Sequence, residues 1–249
     1  PRIVETPSGM INSIGLANPG IEPAVQGLTA HWDHWGATVL ISFSADSAVQ
    51  FGEMAAMAQG APGFQAIELN LSCPNIESGA MFSHSANLTA AAVAAVKANN
   101  DLPVLVKLAP NVPDITEIAL AAVDAGADAL TISNTLPAMK IDVRTRRPVL
   151  GNVTGGLSGE GLRPVSLALV YRAAQVVDVP IIGVGGIFTG EHALEYILAG
   201  ATAVQIGSAN LANLQAPFQI LDELTALVSE SAVSNITELV GAVEAPAGA

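Results

Sequence analysis

The chain has 249 residues, of which 51% are hydrophobic and 12% charged, so it can bury the core of one large domain or of two small ones. Its formal net charge of -13 argues against nucleic acid and anionic membrane surfaces as partners. It has one cysteine, and it contains neither a signal peptide nor an apolar run of about 18 residues, which predicts a cytoplasmic protein.

Residues 1–35 combine turn signals with a short apolar patch, and we expect a loop followed by a helix over about residues 23–35. Glu22-Pro23 is a typical helix start, because proline is well accepted in the first turn. Aromatic and imidazole side chains cluster near the end of this helix: His31, Trp32, His34 and Trp35. They are typical either of a metal or stacking site or of a helix end that packs on the core, and packing is favoured.

From Gly36 onward, short apolar runs alternate with segments of helical periodicity. The predicted strands cover residues 36–43, 66–71, 103–108, 129–134, 180–184 and 203–207. The predicted helices cover residues 46–60, 86–99, 115–125, 164–176 and 190–199, with one or two more between about residues 217 and 243. Met54 and Met57 are expected on the buried side of the first of these helices. Each strand precedes a helical segment, which is βα alternation.

The segment from Leu136 to about Gly161 breaks this alternation, and we expect an irregular insertion there. Loops of that length in a compact domain are usually functional. Within the insertion, Gly155-Gly156-Leu157-Ser158-Gly159 has the flexibility expected of a loop that packs on a cofactor or acts as a lid.

The alternation predicts an α/β fold of one of two kinds. An open doubly wound sheet accommodates the six strands that are visible from Gly36 onward, whereas a TIM (β/α)8 barrel needs eight. Because the chain starts with Pro1 rather than methionine, we favour a barrel whose first two strands are missing from this chain. We therefore expect residues 1–249 to form a single barrel domain, incomplete at its N-terminus.

The strand predicted over residues 66–71 ends in a polar segment, Ser72-Cys73-Pro74-Asn75, because proline has no N–H for a ladder. Cys73 is the only cysteine of the chain, so it has no intrachain disulfide partner. Neighbouring amide and hydroxyl donors favour a thiolate, which would serve as a base or a nucleophile. A buried structural cysteine is the other interpretation, and the residues leave both open.

Glycines follow the last two predicted strands, in Gly183-Val184-Gly185-Gly186-Ile187 and in Ile206-Gly207-Ser208-Ala209. Such turns let backbone N–H groups approach a phosphate, as in the phosphate site of a barrel. They predict flavin mononucleotide or a sugar phosphate as the ligand, although glycine-rich turns also occur for geometric reasons alone.

Other polar residues lie within the predicted strands or at their ends. Lys107 stands in an otherwise apolar strand, so its ammonium must be paired, face the open end of a barrel or extend to the surface. At the open end it would stabilise negative charge on the N1/O2 edge of a flavin. Amides that can bind a carboxylate and ring N–H groups are found in loops or at strand ends, at Asn12, Asn70, Asn75 and Asn134.

These residues resemble the dihydroorotate dehydrogenases, and within them the class 1 enzymes that carry a catalytic cysteine. Asn70-Leu71-Ser72-Cys73-Pro74-Asn75 is similar to the family's Asn-x-Ser-Cys-Pro-Asn segment, in which class 2 enzymes have serine at the cysteine position. Residues 12–20, 106–108, 133–135, 154–159, 183–187 and 205–208 are similar in order and spacing. The likeness covers about residues 5–224, and the region from Asn134 to Gly159 is most similar to the class 1B catalytic subunit.

The resemblance implies an FMN-binding barrel that oxidises (S)-dihydroorotate to orotate in pyrimidine (UMP) biosynthesis, with no metal site. Cys73 would be the general base that removes the C5 proton while hydride leaves C6 for N5 of the flavin. The substrate would be held by Asn12, Asn70, Asn75, Asn134 and Thr135. The cofactor would be held by Lys107, Gly159, Gly185, Gly186, Gly207 and Ser208.

The likeness to class 1B also implies an electron-transfer partner subunit that carries FAD and an iron–sulfur cluster and passes electrons to NAD, although the residues themselves do not identify the acceptor. Exposed apolar surface on a chain with so few charges predicts a homo-oligomer as well. The family has two further barrel strands, about 50 residues, before Pro1. Without them two strand edges would be exposed, and we expect residues 1–249 alone to bind flavin poorly.

Two other interpretations stay open at this stage. One is a related flavin-dependent dihydropyrimidine dehydrogenase, whose barrel shares a similar cysteine segment. The other is a non-catalytic truncated barrel that a partner stabilises, and it predicts no flavin absorbance even beside that partner.

Overall fold

The computed structural model describes residues 1–72 and 81–244 of the chain. The described residues divide into two compact units, one assigned to Leu16–Thr131 and the other to Pro1–Gly15 with Ile132–Ala249. A single domain over residues 1–249 stays a prediction. Cys73 and Asn75 lie outside the described residues, and so do the predictions made for them.

The strands and helices are numbered in chain order. The strands are β1 (Ile3–Thr6), β2 (Gly9–Asn12), β3 (Leu40–Phe43), β4 (Ala66–Asn70), β5 (Val104–Leu108), β6 (Ala129–Ile132), β7 (Leu136–Met139), β8 (Ile141–Asp142), β9 (Arg147–Pro148), β10 (Thr154–Ser158), β11 (Ile181–Val184) and β12 (Ala203–Gln205). The α-helices are α1 (Ile21–Pro23), α2 (Thr29–Trp35), α3 (Ala48–Ala58), α4 (Ala86–Lys97), α5 (Ile115–Asp124), α6 (Arg163–Ala174), α7 (Gly190–Leu198), α8 (Ala209–Ala212) and α9 (Ala216–Glu230). A π-helical turn at Ala24–Leu28 joins α1 to α2.

The unit Leu16–Thr131 is built from βα repeats. Strands β3, β4 and β5 pair in parallel, with β6 next to β5, and α4 packs against both α3 and α5. Almost every residue of β4, β5 and β6 is buried, which is typical of a parallel sheet covered by helices. The helices start where side chains accept a backbone N–H, at Ser47, Ser85 and Asp114.

The other unit combines an antiparallel sheet with a further βα repeat. The antiparallel sheet has the order β1-β2-β10-β7, and β8 and β9 form a short hairpin beyond it. Strands β11 and β12 pair in parallel, and α7 packs on α9. The backbone N–H of Ser133, directly after β6, donates to the carbonyl of Val184 at the end of β11.

The predicted βα alternation and the α/β fold class are confirmed, with element ends displaced by a few residues. The loop predicted before the helix at about residue 23 is wrong for Ile3–Thr6 and Gly9–Asn12, because β1 and β2 form there. The predicted irregular insertion is also wrong, since it contains β7 to β10. The hairpin β1–β2 is local, but β2 also pairs with the distant β10, with Asn12 opposite Gly156. Met57 is 55% exposed and so not on the buried side of α3 as predicted.

Candidate active site

The carboxyl ends of β4 and β5 bring together two residues that were singled out separately. Asn70, the last residue of β4, stands opposite Lys107 in the parallel register. The Oδ1 atom of Asn70 accepts hydrogen bonds from the hydroxyl of Ser72 at 2.7 Å and from its backbone N–H at 3.4 Å, which orients the amide. Lys107 is half-buried, so its ammonium neither lies in the core nor extends freely into solvent.

A buried carboxylate that the sequence analysis missed pairs with this lysine. The Oε1 atom of Glu68 lies 3.5 Å from Nζ of Lys107, and its Oε2 accepts a hydrogen bond from Thr131 at 2.9 Å. The signal was present in the sequence, since Glu68 interrupts an apolar strand as Lys107 does. The parallel register was needed to see that the two charges face each other.

Asn12 and Thr135 flank one glycine in the other unit. The Nδ2 atom of Asn12 donates to the carbonyl of Gly156 at 3.3 Å. A Cβ atom on Gly156 would collide with the side chain of Thr135, so only glycine allows this close approach. The amide of Asn134 accepts the N–H of Thr135 at 2.8 Å. Of the predicted substrate residues, Asn12 thus lies at the end of β2, and Asn134 and Thr135 lie in the segment after β6.

The predicted cofactor glycines Gly159 and Gly186 form a crowded backbone cradle. Gly186 has a φ of 67°, and a Cβ atom there would lie 2.8 Å from the carbonyl oxygen of Gly159. Gly159 itself has a φ of 101° and faces the backbone of Gly9. Glycine at these positions is therefore required by the backbone conformation, and turns of this kind let a ligand come close to the backbone.

A cavity of about 270 Å³ adjoins this cradle. Its lining includes Thr6, Gly9, Gly159 and Ser208, with Phe188 as an apolar wall. The hydroxyl oxygens of Thr6 and Ser158 are buried and have no hydrogen-bond partner among the described residues. Buried hydroxyls normally bond, so the hydroxyl of Thr6, which lines the cavity, is suited to bind an oxyanion such as a phosphate. The residues present therefore fit the phosphate end of a flavin nucleotide.

The second glycine turn is open by comparison. Apart from its two chain neighbours, no described residue has an atom within 4 Å of the point where a Cβ atom of Gly207 would stand. Ser208 directly precedes the short helix α8 and lines the cavity beside Gly159. Ser208 and Gly159 thus lie at the same cavity, as predicted residues of one phosphate site should.

The aromatic cluster of α2 has a mixed environment. Trp32 lines a cleft of about 530 Å³ that also adjoins Phe43 and Asn70. Trp35 is 67% exposed, so the packing interpretation is wrong for that residue, and His31 and His34 are exposed as well. Within residues 1–72 and 81–244, no group of three or more histidine, cysteine or acidic side chains is arranged to hold a metal ion. No helix in the described part of the chain is long and apolar enough to cross a membrane.

Comparison with known proteins agrees with this geometry. A family model described as dihydroorotate dehydrogenase matches residues 1–228. A protein of Desulforudis audaxviator, named dihydroorotate dehydrogenase B (NAD(+)), catalytic subunit, is 47% identical over 249 residues, which are 100% of this chain and 81% of that protein. Proteins of the same name from Desulforamulus reducens and Citrifermentans bemidjiense are 46% and 43% identical over 97% and 98% of this chain, and 80% of each relative is covered.

The fold and these matches define the class as an oxidoreductase of the TIM-barrel flavoenzymes. The chain belongs to the dihydroorotate dehydrogenase family. The barrel is thereby confirmed over the doubly wound sheet, and so is the resemblance to class 1B.

Proposed function

We propose that this chain catalyses the oxidation of (S)-dihydroorotate to orotate in pyrimidine biosynthesis, with FMN as its cofactor. The observation that carries the reaction is membership of the family at 47% identity over the whole chain. The register that sets Asn70 opposite Lys107 supports the assignment of substrate and cofactor residues to the ends of β4 and β5, where barrel active sites lie.

The reaction forms a C5=C6 double bond by removing a proton from C5 and a hydride from C6. Cys73, which follows Asn70 by three positions in the sequence, is proposed as the base that takes the C5 proton onto its sulfur. A thiol suits this role because its reference pKa of about 8.5 is within reach of neutral pH. FMN, when bound, supplies the acceptor for the hydride and its two electrons.

Amide and hydroxyl groups are proposed to hold the substrate. The Ser72 hydroxyl donates to the side-chain oxygen of Asn70 and so fixes the orientation of the amide that is proposed to contact the substrate. Asn12, Asn134 and Thr135 supply further groups of the same kind, and Asn75 completes the proposed set. Fixed donors of this kind select one orientation of a planar ring, which the proton removal at C5 requires.

Lys107 and the glycine turns are proposed to hold FMN. The ammonium of Lys107 would stabilise negative charge on the isoalloxazine, since a half-buried cation acts in a medium of lower dielectric than water. Gly159, Gly185, Gly186, Gly207 and Ser208 would bind the phosphate through backbone N–H groups and a hydroxyl. The buried hydroxyl of Thr6, which lines this cavity and has no hydrogen-bond partner among the described residues, supports the phosphate assignment.

The proposal is tested by visible spectroscopy of the purified full-length protein under anaerobic conditions. We expect a flavin band that bleaches when dihydroorotate is added and stays when dihydrouracil is added. Cys73→Ala should keep the band and lose the bleaching at neutral pH, whereas Cys73→Ser should regain part of it as the pH rises, because a serine is a weaker acid. A coloured protein that dihydrouracil reduces and dihydroorotate does not would overturn the choice of substrate.

We also propose a partner. The relatives are named as NAD(+) enzymes and as catalytic subunits, which supports an electron-transfer subunit that carries FAD and an iron–sulfur cluster and delivers electrons to NAD. Reduction of NAD+ by dihydroorotate should then be negligible with this chain alone and fast after the partner is added. Fast NAD+ reduction by the isolated chain would contradict this.

Self-association in a cytoplasmic location is proposed as well. Large apolar side chains around α8 and α9 are exposed, including Leu211, Leu214 and Phe218. A surface of this kind is usually covered by another protein. Sedimentation of the purified chain at several concentrations should show a dimer or larger species, and a monomer at all concentrations would refute this.

A further inference from the structure

Opposite charges stand inside neighbouring buried strands of the unit Leu16–Thr131. Glu68 in β4 is 7% exposed and Lys107 in β5 is half-buried, with 3.5 Å between Oε1 and Nζ. Lys107 has a role in the proposed function, whereas Glu68 has none so far. A carboxylate buried beside a functional lysine calls for a physical reason, since desolvation makes its burial costly.

A third strand holds the other oxygen of this carboxylate. Thr131 in β6 is fully buried, and its hydroxyl donates to Oε2 of Glu68 at 2.9 Å. One oxygen is thus anchored by a short hydrogen bond while the other faces the ammonium. A hydrogen-bonded and buried carboxylate has little rotamer freedom, so it offers the lysine a fixed partner.

The register places Glu68 closer to the middle of the sheet than Asn70 at the end of β4. Glu68 precedes Asn70 by two positions, so both side chains lie on the same face of β4. Asn70 stands opposite Lys107, whereas Glu68 stands opposite Leu105. Substrate and cofactor bind at the carboxyl ends of the strands in barrels. Glu68 therefore approaches the ammonium diagonally, from the opposite side.

A gain in folding stability is a weak explanation for burying Glu68 beside Lys107. Buried ion pairs are often no more stabilising than apolar side chains of similar volume. Fixing the position of the ammonium is a stronger explanation, because the ammonium of lysine lies at the end of a flexible four-carbon chain and has no preferred direction of its own. An ammonium that must act at one edge of a ligand gains from a fixed counter-charge behind it.

We propose that Glu68, anchored by Thr131, is a positioning residue that holds the ammonium of Lys107 where it stabilises negative charge on the reduced flavin. This inference rests on the proposed function, because it takes Lys107 to contact the flavin.

The test compares the reduction potential of the bound flavin in variants of the full-length protein, measured by anaerobic titration against a reference dye. Glu68→Gln keeps the shape of the side chain and an acceptor for Thr131 but removes the charge. We expect it to move the potential to more negative values, toward that of Lys107→Met. Added to Lys107→Met, the same substitution should cause no further shift, because a residue that acts through the lysine has nothing left to position.

Two further variants complete the design. Thr131→Val should shift the potential in the same direction by a smaller amount, and it carries the test if Glu68→Gln does not fold. Glu53→Gln removes an exposed carboxylate from α3 of the same unit and serves as the matched control, with no shift expected.

Other results overturn the inference. A positive shift that persists in the Lys107→Met background would mean that Glu68 acts through its own charge. An unchanged potential with a lower melting temperature would reduce Glu68 to a structural residue. If Lys107→Met itself leaves the potential unchanged, the assignment of Lys107 fails together with this inference. A wild-type protein that dihydroorotate does not reduce would instead refute the proposed function.

Discussion

The hydroxyl of Tyr196 donates a hydrogen bond of 2.7 Å to the carbonyl oxygen of Gly185 and so joins helix α7 to the glycine turn after β11. Tyr196 is fully buried, and a side chain at Gly183 would collide with its ring. The hydroxyls of Ser133 and Ser166 lie 2.6 Å apart beside the same turn. Buried hydrogen bonds of Tyr196, Ser133 and Ser166 therefore hold the proposed phosphate turn in place.

Tyr196→Phe should destabilise the protein and weaken flavin binding together. The substitution keeps the ring but leaves the carbonyl of Gly185 without its buried donor, which typically costs about 1–2 kcal/mol. Urea unfolding of the flavin-free protein measures the first effect, and titration with FMN measures the second. Tyr171→Phe, at the half-buried second tyrosine, is the matched control. Equal stabilities of the two variants would contradict the proposed support.

Alkaline pH should weaken the fold partly through the same residue. Burial raises the pKa of Tyr196 above its usual range. The unfolded chain loses this phenol proton near pH 10 while the folded chain keeps it, so the contribution is complete below about pH 10 and falls as the pH rises toward the folded pKa. The slope is about 1.4 kcal/mol per pH unit for one group. Unfolding free energies between pH 8 and 11 should fall less steeply for Tyr196→Phe, and parallel profiles would refute this.

The substitutions Gly207→Ala and Gly186→Ala should separate an effect on FMN binding from an effect on stability. Apart from its two chain neighbours, a Cβ atom at Gly207 would contact no described residue within 4 Å, whereas at Gly186 it would lie 2.7 Å from Cβ of Arg163, in a backbone with a φ of 67°. Gly207→Ala should therefore leave the unfolding free energy unchanged and weaken FMN binding roughly tenfold, about 1.4 kcal/mol. Gly186→Ala should lower both the unfolding free energy and the affinity for FMN. Unchanged FMN affinity in Gly207→Ala would exclude that turn from the phosphate site.

The ion pair between Lys107 and Glu68 predicts a non-additive effect on stability. Lys107→Met removes the cation and leaves the carboxylate in a buried setting, which should cost about 3 kcal/mol of unfolding free energy, the low end for a buried pair because Lys107 is partly exposed. Adding Glu68→Gln should restore much of this loss, because the amide needs no counter-charge. Chemical unfolding of the three flavin-free variants measures the coupling. Simple addition of the two losses would show that the charges do not interact.

Local patterns were sufficient to locate most residues of the candidate site. Lys107 is conspicuous as a charge in an apolar strand, and the glycine turns follow the two strands of the last βα repeat at the end where barrels bind ligands. Glu68 carries the same signal but was missed, because its role appears only when β4 and β5 are set in register. Tyr196 was missed for a similar reason, since its hydroxyl meets Gly185 only after α7 folds back on β11.

The sequence by itself determined the βα alternation, because strands that are buried on both faces are mostly apolar and the helices between them must be amphipathic. It also determined the family and the types of polar group at the strand ends. Only the tertiary structure decided the antiparallel sheet of β1, β2, β10 and β7 and the pairing of Glu68 with Lys107. Strand β2 pairs with the nearby β1 and also with the distant β10, where Asn12 stands opposite Gly156, and a local pattern of residues carries no information about that distant partner.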